Sequence, residues 1–268
     1  MSFSTRYGSS MTGLANLQAD LMGSSFSLNL GGGGALPTSN NAVANLANLQ
    51  AELGEILSMV DQYYEEGHRF LIDAVLEFAL SPKKNIAGRS PFIGIEQSLS
   101  AAALDGNMSG PLDYMVNRDF SARVPANNWG AFTGLSNAQK DHIAYPNVYQ
   151  TQIWRLLANT IIIEAKRNLF RTTDDTKYEG QLLAQMTAMA YQCQHLVGAG
   201  GQFYLPGILT DGVWYKFYEV HMPAAVMGDR ACTFRRSADF KITNNLQRIV
   251  STLRDVFDNL ATLNASKF

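Results

Sequence analysis

The sequence predicts an α/β domain in which helices flank a central mixed β-sheet. Three observations support this prediction. Apolar residues recur at helical spacing near both ends of the chain and in its middle. The apolar run over residues 160–166 is typical of a buried strand. Two strand-like runs flank Asp211-Gly212, and Asp-Gly is a strong hairpin signal.

Composition limits the class of protein. The chain has 268 residues, a net charge of -2 and 46% hydrophobic residues, which is enough for one sizeable core. Only 16% of the residues are charged, and this low fraction indicates extensive burial or a self-associating surface. The pI near 6.1 does not indicate a nucleic-acid binder, although a local basic patch can lie on an acidic protein.

The sequence also predicts location and domain organisation. No apolar run reaches the roughly 18 residues of a membrane span, and the first 22 residues lack the apolar stretch of a secretory signal. Two distant cysteines without metal-binding spacing indicate reduced thiols. We therefore expect an intracellular protein, in the cytoplasm or nucleus, with no membrane partner. Residues 1–40 are rich in Gly and Ser and predict a flexible tail, and residues 41–268 are expected to form a single domain.

The first two elements after the tail are predicted helices. Asn40 and Asn41 can cap a long first helix. Apolar residues follow at helical spacing: Val43, Leu46, Leu49, Leu53, Ile56, Leu57 and Val60. A second helix is expected over residues 65–80, where Ser81-Pro82 stops it. Both helices are expected to pack on the core, and the first is also a candidate arm for a homo-oligomer.

Strands and helices alternate over the rest of the chain. The predicted elements are, in order, a hairpin over 91–117 with its turn at 105–107, an irregular insertion over 118–147, a short helix over 148–157, the strand from Thr160, a helix over 178–196, a hairpin over 203–219 and a last helix over 239–263. No internal repeat is visible.

The predicted central strand ends in two opposite charges. Because side chains alternate along a strand, Glu164 and Lys166 lie on one face, opposite Ile161, Ile163 and Ala165. One interpretation is a solvent-facing ion pair worth at most about 1 kcal/mol. The other is a metal ligand beside a lysine that binds phosphate. The apolar strand before the pair favours the edge of a pocket over an open surface.

Metal-dependent phosphodiester cleavage uses these residue types. Mg²⁺ binds carboxylate oxygens and keeps several waters. The ion polarises the phosphate and makes a water more acidic. A neighbouring lysine can orient that water or neutralise developing charge. Two acids on adjacent strands, with a lysine two residues after the second, would meet these needs.

The order of such residues over positions 60–225 resembles the PD-(D/E)XK nuclease superfamily. Asp113, in the stretch Gly-Pro-Leu-Asp-Tyr, matches the first acid, and Glu164-Ala165-Lys166 matches the E-x-K motif. Gln181 resembles the glutamine that many members place on the following helix. The stretch 207–217, Gly-Ile-Leu-Thr-Asp-Gly-Val-Trp-Tyr-Lys-Phe, looks like a segment of nuclease-like domains in fungal proteins and Crinkler-type effectors.

The resemblance implies a restriction-endonuclease-like core and a Mg²⁺- or Mn²⁺-dependent nuclease that acts on DNA or RNA. Asp113 and Glu164 would bind the metal, Lys166 would assist the attacking water, and Gln181 would orient the site. An acid on the helix before the hairpin often helps in the family. Glu66 is the candidate for this additional metal ligand, and Glu77 is the alternative.

Two questions stay open at this point, and one further acid is expected to lie outside the site. The gap between Asp113 and Glu164 is long for the family, so either the intervening insertion loops out or the first acid is Asp119 or Asp141. Asp211 is expected to be the turn residue of its hairpin rather than a catalytic acid. A basic cluster near the last hairpin would either hold phosphates or form an ordinary solvated face; it comprises Arg230, Arg235, Arg236 and Lys241.

A second hypothesis is an interaction or effector protein that keeps the nuclease fold without the chemistry. It would act through protein partners or self-assembly, which the low charge, the tail and the amphipathic first helix would suit. Other enzyme classes lack their motifs. The four histidines are dispersed, and the glycine run at 31–34 lacks the lysine of a phosphate-binding loop.

Overall fold

The structure is a computed structural model, and it describes residues 15–17, 26–29, 34–61, 65–83, 91–101, 108–117, 160–166, 178–193, 203–222 and 230–264. The strands are β1 (Phe26–Asn29), β2 (Phe92–Ala101), β3 (Met108–Asn117), β4 (Thr160–Ala165), β5 (Phe203–Thr210), β6 (Trp214–Met222), β7 (Arg230–Arg236) and β8 (Phe240–Lys241). The helices are α1 (Leu46–Met59), α2 (Glu65–Leu80), α3 (Glu179–Cys193) and α4 (Ile242–Asn264), and a 3-10 turn, Ser81–Lys83, follows α2.

The strands form one mixed sheet in the order β1-β7-β6-β5-β4-β3-β2, and the short β8 also pairs with β6. The pairs β1–β7 and β4–β5 are parallel, and the other pairs are antiparallel. Two parallel strands need a long return connection. The chain between β4 and β5 contains α3, which packs against both strands. The predicted mixed sheet flanked by helices is confirmed.

The alternation predicted for β4 is also confirmed. All six residues of this central strand are buried. Ile161, Ile163 and Ala165 belong to the large apolar core that includes residues of α1, α2 and α4. Glu164 instead contacts Gln185 of α3. One face of the sheet therefore carries the main core, and the other face carries the Glu164 carboxylate beneath α3.

The helices that flank the core follow the apolar spacing of the sequence. The buried stripe of α4 comprises Leu246, Ile249, Val250, Leu253, Phe257 and Leu260. The first helix is shorter than expected from Asn40 and Asn41. Asn45 adopts a left-handed conformation with φ 60°, so α1 begins at Leu46.

Helix α1 uses only part of its apolar face. It buries Leu49 and Leu53, one turn apart, against the core. Leu57 and Met59 stay exposed near its end. Assembly through this helix stays a prediction. Among the described residues, no helix is both long and apolar enough to cross a membrane.

The hairpin between β5 and β6 has the turn that Asp211-Gly212 predicts. The Asp211 carboxylate accepts hydrogen bonds from the backbone N–H groups of Val213 (3.0 Å) and Trp214 (2.8 Å). Gly212 has φ +79°, a conformation that glycine adopts without strain. Asp211 is therefore the turn residue, as the sequence predicts.

Parts of the N-terminal segment, which is expected to be a flexible tail, pair with the sheet and contact α4. Residues 26–29 form the edge strand β1, parallel to β7. Further along, the Leu36 N–H donates to the Arg236 carbonyl at 3.0 Å, and the Ser39 N–H donates to Thr252 Oγ1 at 3.1 Å. These parts of the first 40 residues are tied to the sheet and to α4. The predicted turn at 105–107, the insertion at 118–147 and the helix at 148–157 lie outside the described residues.

Candidate functional site

Asp113 lies next to the end of β4. The β3–β4 ladder includes the pair Tyr114–Ile163, and the Asp113 side chain follows at the next position of β3. Asp113 Oδ2 accepts a hydrogen bond from the Ala165 N–H at 2.8 Å. At this position of the ladder a carboxylate oxygen therefore replaces the main-chain carbonyl as the acceptor. The long gap in sequence therefore does not separate Asp113 from the strand that carries Glu164. Asp119 and Asp141 lie outside the described residues.

Lys166 joins the two carboxylates. Its Nζ lies 3.7 Å from Asp113 Oδ2 and forms an ion pair with Glu164 Oε1. Its backbone N–H donates to the Thr210 carbonyl at 2.8 Å, which holds the residue after β4 against β5. Three of the predicted site residues, Asp113, Glu164 and Lys166, therefore lie in one group.

Gln185 of α3 fixes the other side of Glu164. Both side chains are fully buried. Gln185 Nε2 donates to Glu164 Oε2 at 2.8 Å and also lies 3.4 Å from the Pro111 carbonyl, so these two acceptors set the orientation of the amide. The other amide atom, Gln185 Oε1, meets no hydrogen-bond donor among the residues that the structure describes. A buried acceptor without a donor is costly, so this oxygen is suited to a ligand or a water.

The glutamine that contacts Glu164 is Gln185, whereas the resemblance indicates Gln181. Gln181 is buried on the same helix, one turn earlier. The amide that bonds Glu164 nevertheless belongs to Gln185. Gln181 therefore stays a prediction from the resemblance, and Gln185 is the glutamine that contacts Glu164.

Helix α2 presents a cation to Asp113. Arg69 Nη2 lies 3.2 Å from Asp113 Oδ1. Glu66 and Glu77, the acids expected on this helix, are exposed. The residue of α2 that contacts the first acid is therefore Arg69, which the sequence analysis did not single out. Its contact joins positions 44 residues apart on different elements, and no local pattern signals such a pair.

Burial dominates the electrostatics of Glu164. Loss of solvent is the largest influence on this carboxyl, and all the influences together raise its pKa to about 8. The Lys166 ammonium lowers the pKa in opposition, and the negative charge of Asp113 raises it further. Hydrogen bonds from Lys166 and Gln185 also favour the charged form. Near neutral pH a proton therefore competes with any cation for this carboxylate.

The donor set can be compared with what a metal needs. Among the described residues, no group of three or more His, Cys, Asp or Glu side chains could hold an ion. Mg²⁺ is often held by one or two carboxylates, and waters and substrate phosphates complete its shell. The carboxylates of Asp113 and Glu164, which both contact Lys166, fit a site with so few protein ligands. The amide oxygen of Gln185, which accepts no hydrogen bond from the described residues, also suits such a site.

The basic cluster is partly neutralised within the fold. Arg235 forms an ion pair with Glu219. Arg236 lies 3.1 Å from the buried Glu179, which also contacts Lys216. These ion pairs join β6, β7 and the start of α3, so they explain two of the four basic residues structurally.

A cavity of about 380 Å³ lies between β5, β6, α4 and residues 36–39. Its lining includes Tyr204, Phe217 and Asp255 and none of the predicted site residues. The carboxylates of Asp113 on β3 and Glu164 on β4 therefore do not line this cavity.

No protein-family model matches this sequence, and no curated protein matches it. What the protein does must therefore be inferred from its residues and their arrangement.

Proposed function

We propose that this protein is a metal-dependent nuclease that hydrolyses phosphodiester bonds of DNA or RNA. The observation that carries the proposal is the convergence of two carboxylates from adjacent strands on one lysine. Asp113 and Glu164 both contact the Lys166 ammonium. An isolated surface ion pair would not need a second acid, full burial of Glu164 or a buried amide behind it.

The order of elements supports a restriction-endonuclease-like core for this protein. Helix α2, strands β2, β3 and β4, helix α3 and strand β5 follow one another in the described part of the chain. The first acid lies on the second strand of a hairpin, and the E-x-K residues lie at the end of the next strand. These are the positions that the PD-(D/E)XK resemblance implies. No such order is needed for a chance E-x-K sequence.

Asp113 and Glu164 would hold Mg²⁺ or Mn²⁺, and the Gln185 amide oxygen, which meets no donor among the described residues, would be available to a ligand or a water. When bound, the ion would polarise the phosphate and make a water more acidic. Glu66 has no part in this proposal, because it is exposed and Arg69 takes the contact with Asp113.

The protein's own residues have separable tasks in this proposal. Lys166 would leave the carboxylates, orient the attacking water and neutralise charge on the phosphate. Gln185 would hold Glu164 in one orientation through its 2.8 Å hydrogen bond. Burial excludes bulk water from Glu164 and strengthens each electrostatic interaction there.

One observation favours the alternative, a protein with this fold that acts through partners. Asp113 and Glu164 face two cations, Arg69 and Lys166, so the charges of the group balance without a metal when both acids are ionised. A purely structural network would have this balance. Divalent-ion binding separates the two functions, because the structural network has no need of it.

The direct test of function is cleavage of DNA and RNA with Mg²⁺ or Mn²⁺. We expect activity that a chelator abolishes. Glu164→Gln and Lys166→Met should each reduce the rate at least about a hundredfold, because each removes a charge that acts on the reacting phosphate. Circular dichroism should confirm that both variants are folded.

Two substitutions provide matched controls. Glu55→Gln changes an exposed glutamate of α1. Arg248→Met changes an arginine outside the basic cluster, which lies over the Phe240 ring. Both should retain the wild-type rate. Cleavage that persists in Glu164→Gln and Lys166→Met would contradict the assignment, and the absence of cleavage on every substrate would favour the interaction protein.

A further inference from the structure

The Asp113 carboxylate contacts two cationic side chains, Arg69 and Lys166, and the proposed function gives a role only to Lys166. Arg69 Nη2 lies 3.2 Å from Oδ1, whereas Lys166 Nζ lies 3.7 Å from Oδ2. The two cations come from different elements: Arg69 projects from α2 and Lys166 follows β4. The Arg69 side chain is 24% exposed, so part of it is accessible from solvent.

The backbone of α2 is held firmly at this point. His68 Nδ1 is in hydrogen-bond contact with the Asp211 carbonyl, and the hairpin turn at Gly212 packs closely against the same helix. One turn after Arg69, Asp73 is hydrogen-bonded to Tyr114, the neighbour of Asp113 on β3. Since both ends of this turn are fixed, the guanidinium can change partners by a side-chain movement alone.

A divalent ion on Asp113 would alter the position of Arg69. The ion and the guanidinium would share one carboxylate, and two positive groups so close repel each other. A phosphodiester anion would relieve this repulsion, because it can bind the ion with one oxygen and the guanidinium with another. The planar fork of an arginine suits such an anion better than the point charge of a lysine does.

We infer that Arg69 binds the phosphodiester of the substrate and makes metal binding depend on it. This inference rests on the proposed function, since it requires a metal at Asp113 and Glu164. Without substrate, Arg69 pairs with Asp113 and weakens metal binding. With substrate, Arg69 moves to the phosphate and the metal binds more tightly. Binding free energies are reciprocal, so the metal strengthens phosphate binding by the same factor.

The test measures Mn²⁺ affinity of the full chain by electron paramagnetic resonance, which reports free Mn²⁺ and needs no catalysis. Dimethyl phosphate is the anionic probe, and neutral trimethyl phosphate at equal ionic strength is its control. For the wild type, dimethyl phosphate should tighten Mn²⁺ binding about tenfold, and trimethyl phosphate should leave it unchanged. Arg69→Gln should bind Mn²⁺ about tenfold more tightly than the wild type without a probe, and dimethyl phosphate should add little.

Two further variants sharpen the comparison. Arg69→Lys retains the charge but not the fork, so its Mn²⁺ affinity should resemble that of the wild type with a weaker response to dimethyl phosphate. Arg248→Gln removes an arginine that lies over the Phe240 ring, and it should behave as the wild type does. Thermal unfolding should show that each variant is folded.

The outcomes distinguish the inference from the function on which it rests. If Arg69→Gln binds Mn²⁺ as the wild type does and responds equally to dimethyl phosphate, Arg69 only braces Asp113 and the inference is overturned while the metal site stands. If the wild type binds no Mn²⁺ with or without the probe, both the inference and the proposed function are overturned.

Discussion

At the scale of single residues, the burial of Glu164 determines which groups must surround it. A fully buried carboxylate is tolerated only where charges and hydrogen bonds compensate for lost solvent. Lys166 meets one of its oxygens and Gln185 meets the other. The contact with Lys166 also makes Glu164 and Asp113 parts of one charge network, so a change in either should alter the other.

The role of Gln185 predicts an asymmetry between two glutamines of α3. Gln185→Leu removes the hydrogen bond that orients Glu164, so the rate of metal-dependent cleavage should fall about 10- to 100-fold, as for other residues that position metal ligands. Gln181→Leu is the matched control, because Gln181 is also buried and lies one turn away. Steady-state kinetics of both variants would check this. A larger loss in Gln181→Leu than in Gln185→Leu would restore the glutamine that the resemblance indicates.

The raised pKa of Glu164 predicts how stability depends on pH. Its pKa is about 8 in the folded protein and ordinarily 4.5, so between these values the folded state binds the extra proton. In chelator, the free energy of unfolding should therefore fall as pH rises from 5 to 8. Urea unfolding of the wild type and Glu164→Gln at several pH values measures this, and the variant should have the flatter profile.

Glu55→Gln, an exposed substitution on α1, is the control for that series and should follow the wild type. Identical pH profiles for the wild type and Glu164→Gln would show that Glu164 titrates in the folded protein as it does in the unfolded chain.

The sequence indicates Asp113, Glu164 and Lys166 as site residues, but it does not indicate Gln185 and Arg69, which contact them. Strand alternation places Glu164 and Lys166 on one face of the sheet, and the family resemblance indicates Asp113. Gln181 and Gln185 are four residues apart and lie on the same face of α3. The sequence therefore does not show which of them contacts Glu164, because that depends on how α3 packs on the sheet. Arg69 approaches from the opposite layer, which no local pattern encodes.

At the scale of elements, the contact of α2 with the β5–β6 hairpin positions Arg69. A Cβ on Gly212 would lie 2.7 Å from the His68 carbonyl oxygen and 2.9 Å from Leu71 Cβ. Only a residue without a side chain permits this approach at φ +79°. The Asp-Gly turn therefore closes the hairpin and also provides the surface on which α2 packs.

Substitution of two glycines tests this contact. Gly212→Ala should destabilise the protein by about 2 kcal/mol or more, because it combines a strained backbone with a collision against α2. Gly54→Ala is the control, since nothing lies within 4 Å of a Cβ at this position of α1, and it should stabilise by about 0.5–1 kcal/mol. Urea unfolding measures both changes. Equal effects of the two substitutions would contradict the close seat of α2 on the turn.

Three strands have no counterpart among the predicted elements: β1, β7 and the two-residue β8, which was predicted as part of the last helix. The first two escape prediction because their pairing is not local. Phe26–Asn29 lies in a Ser- and Gly-rich stretch and becomes a strand only beside β7, with which Phe26 pairs at Arg230. Arg230–Arg236 carries three arginines, which indicate a basic cluster rather than a strand. Its buried Cys232 and Phe234 are two residues apart, and this alternation is short enough to be hidden by the charges.

At the scale of the whole molecule, the sheet separates stability from the proposed chemistry. The face toward α1, α2 and α4 carries the large apolar core, and the face toward α3 carries Glu164 and Gln185. β4 belongs to both, since its alternate residues point to opposite layers. This arrangement lets a rigid core hold charged groups that are costly to bury. The mixed sheet flanked by helices is predicted by the sequence, whereas the edge strand β1 is not.

The central claim is that Asp113 and Glu164 together bind a divalent ion. The most direct measurement is X-ray diffraction from crystals soaked in Mn²⁺, with data recorded at the manganese absorption edge. The proposal predicts an anomalous peak between the two carboxylates, displacement of Lys166 from Asp113 and no such peak in Glu164→Gln crystals. An empty position between the carboxylates, with Lys166 still bound to both acids at saturating Mn²⁺, would contradict it.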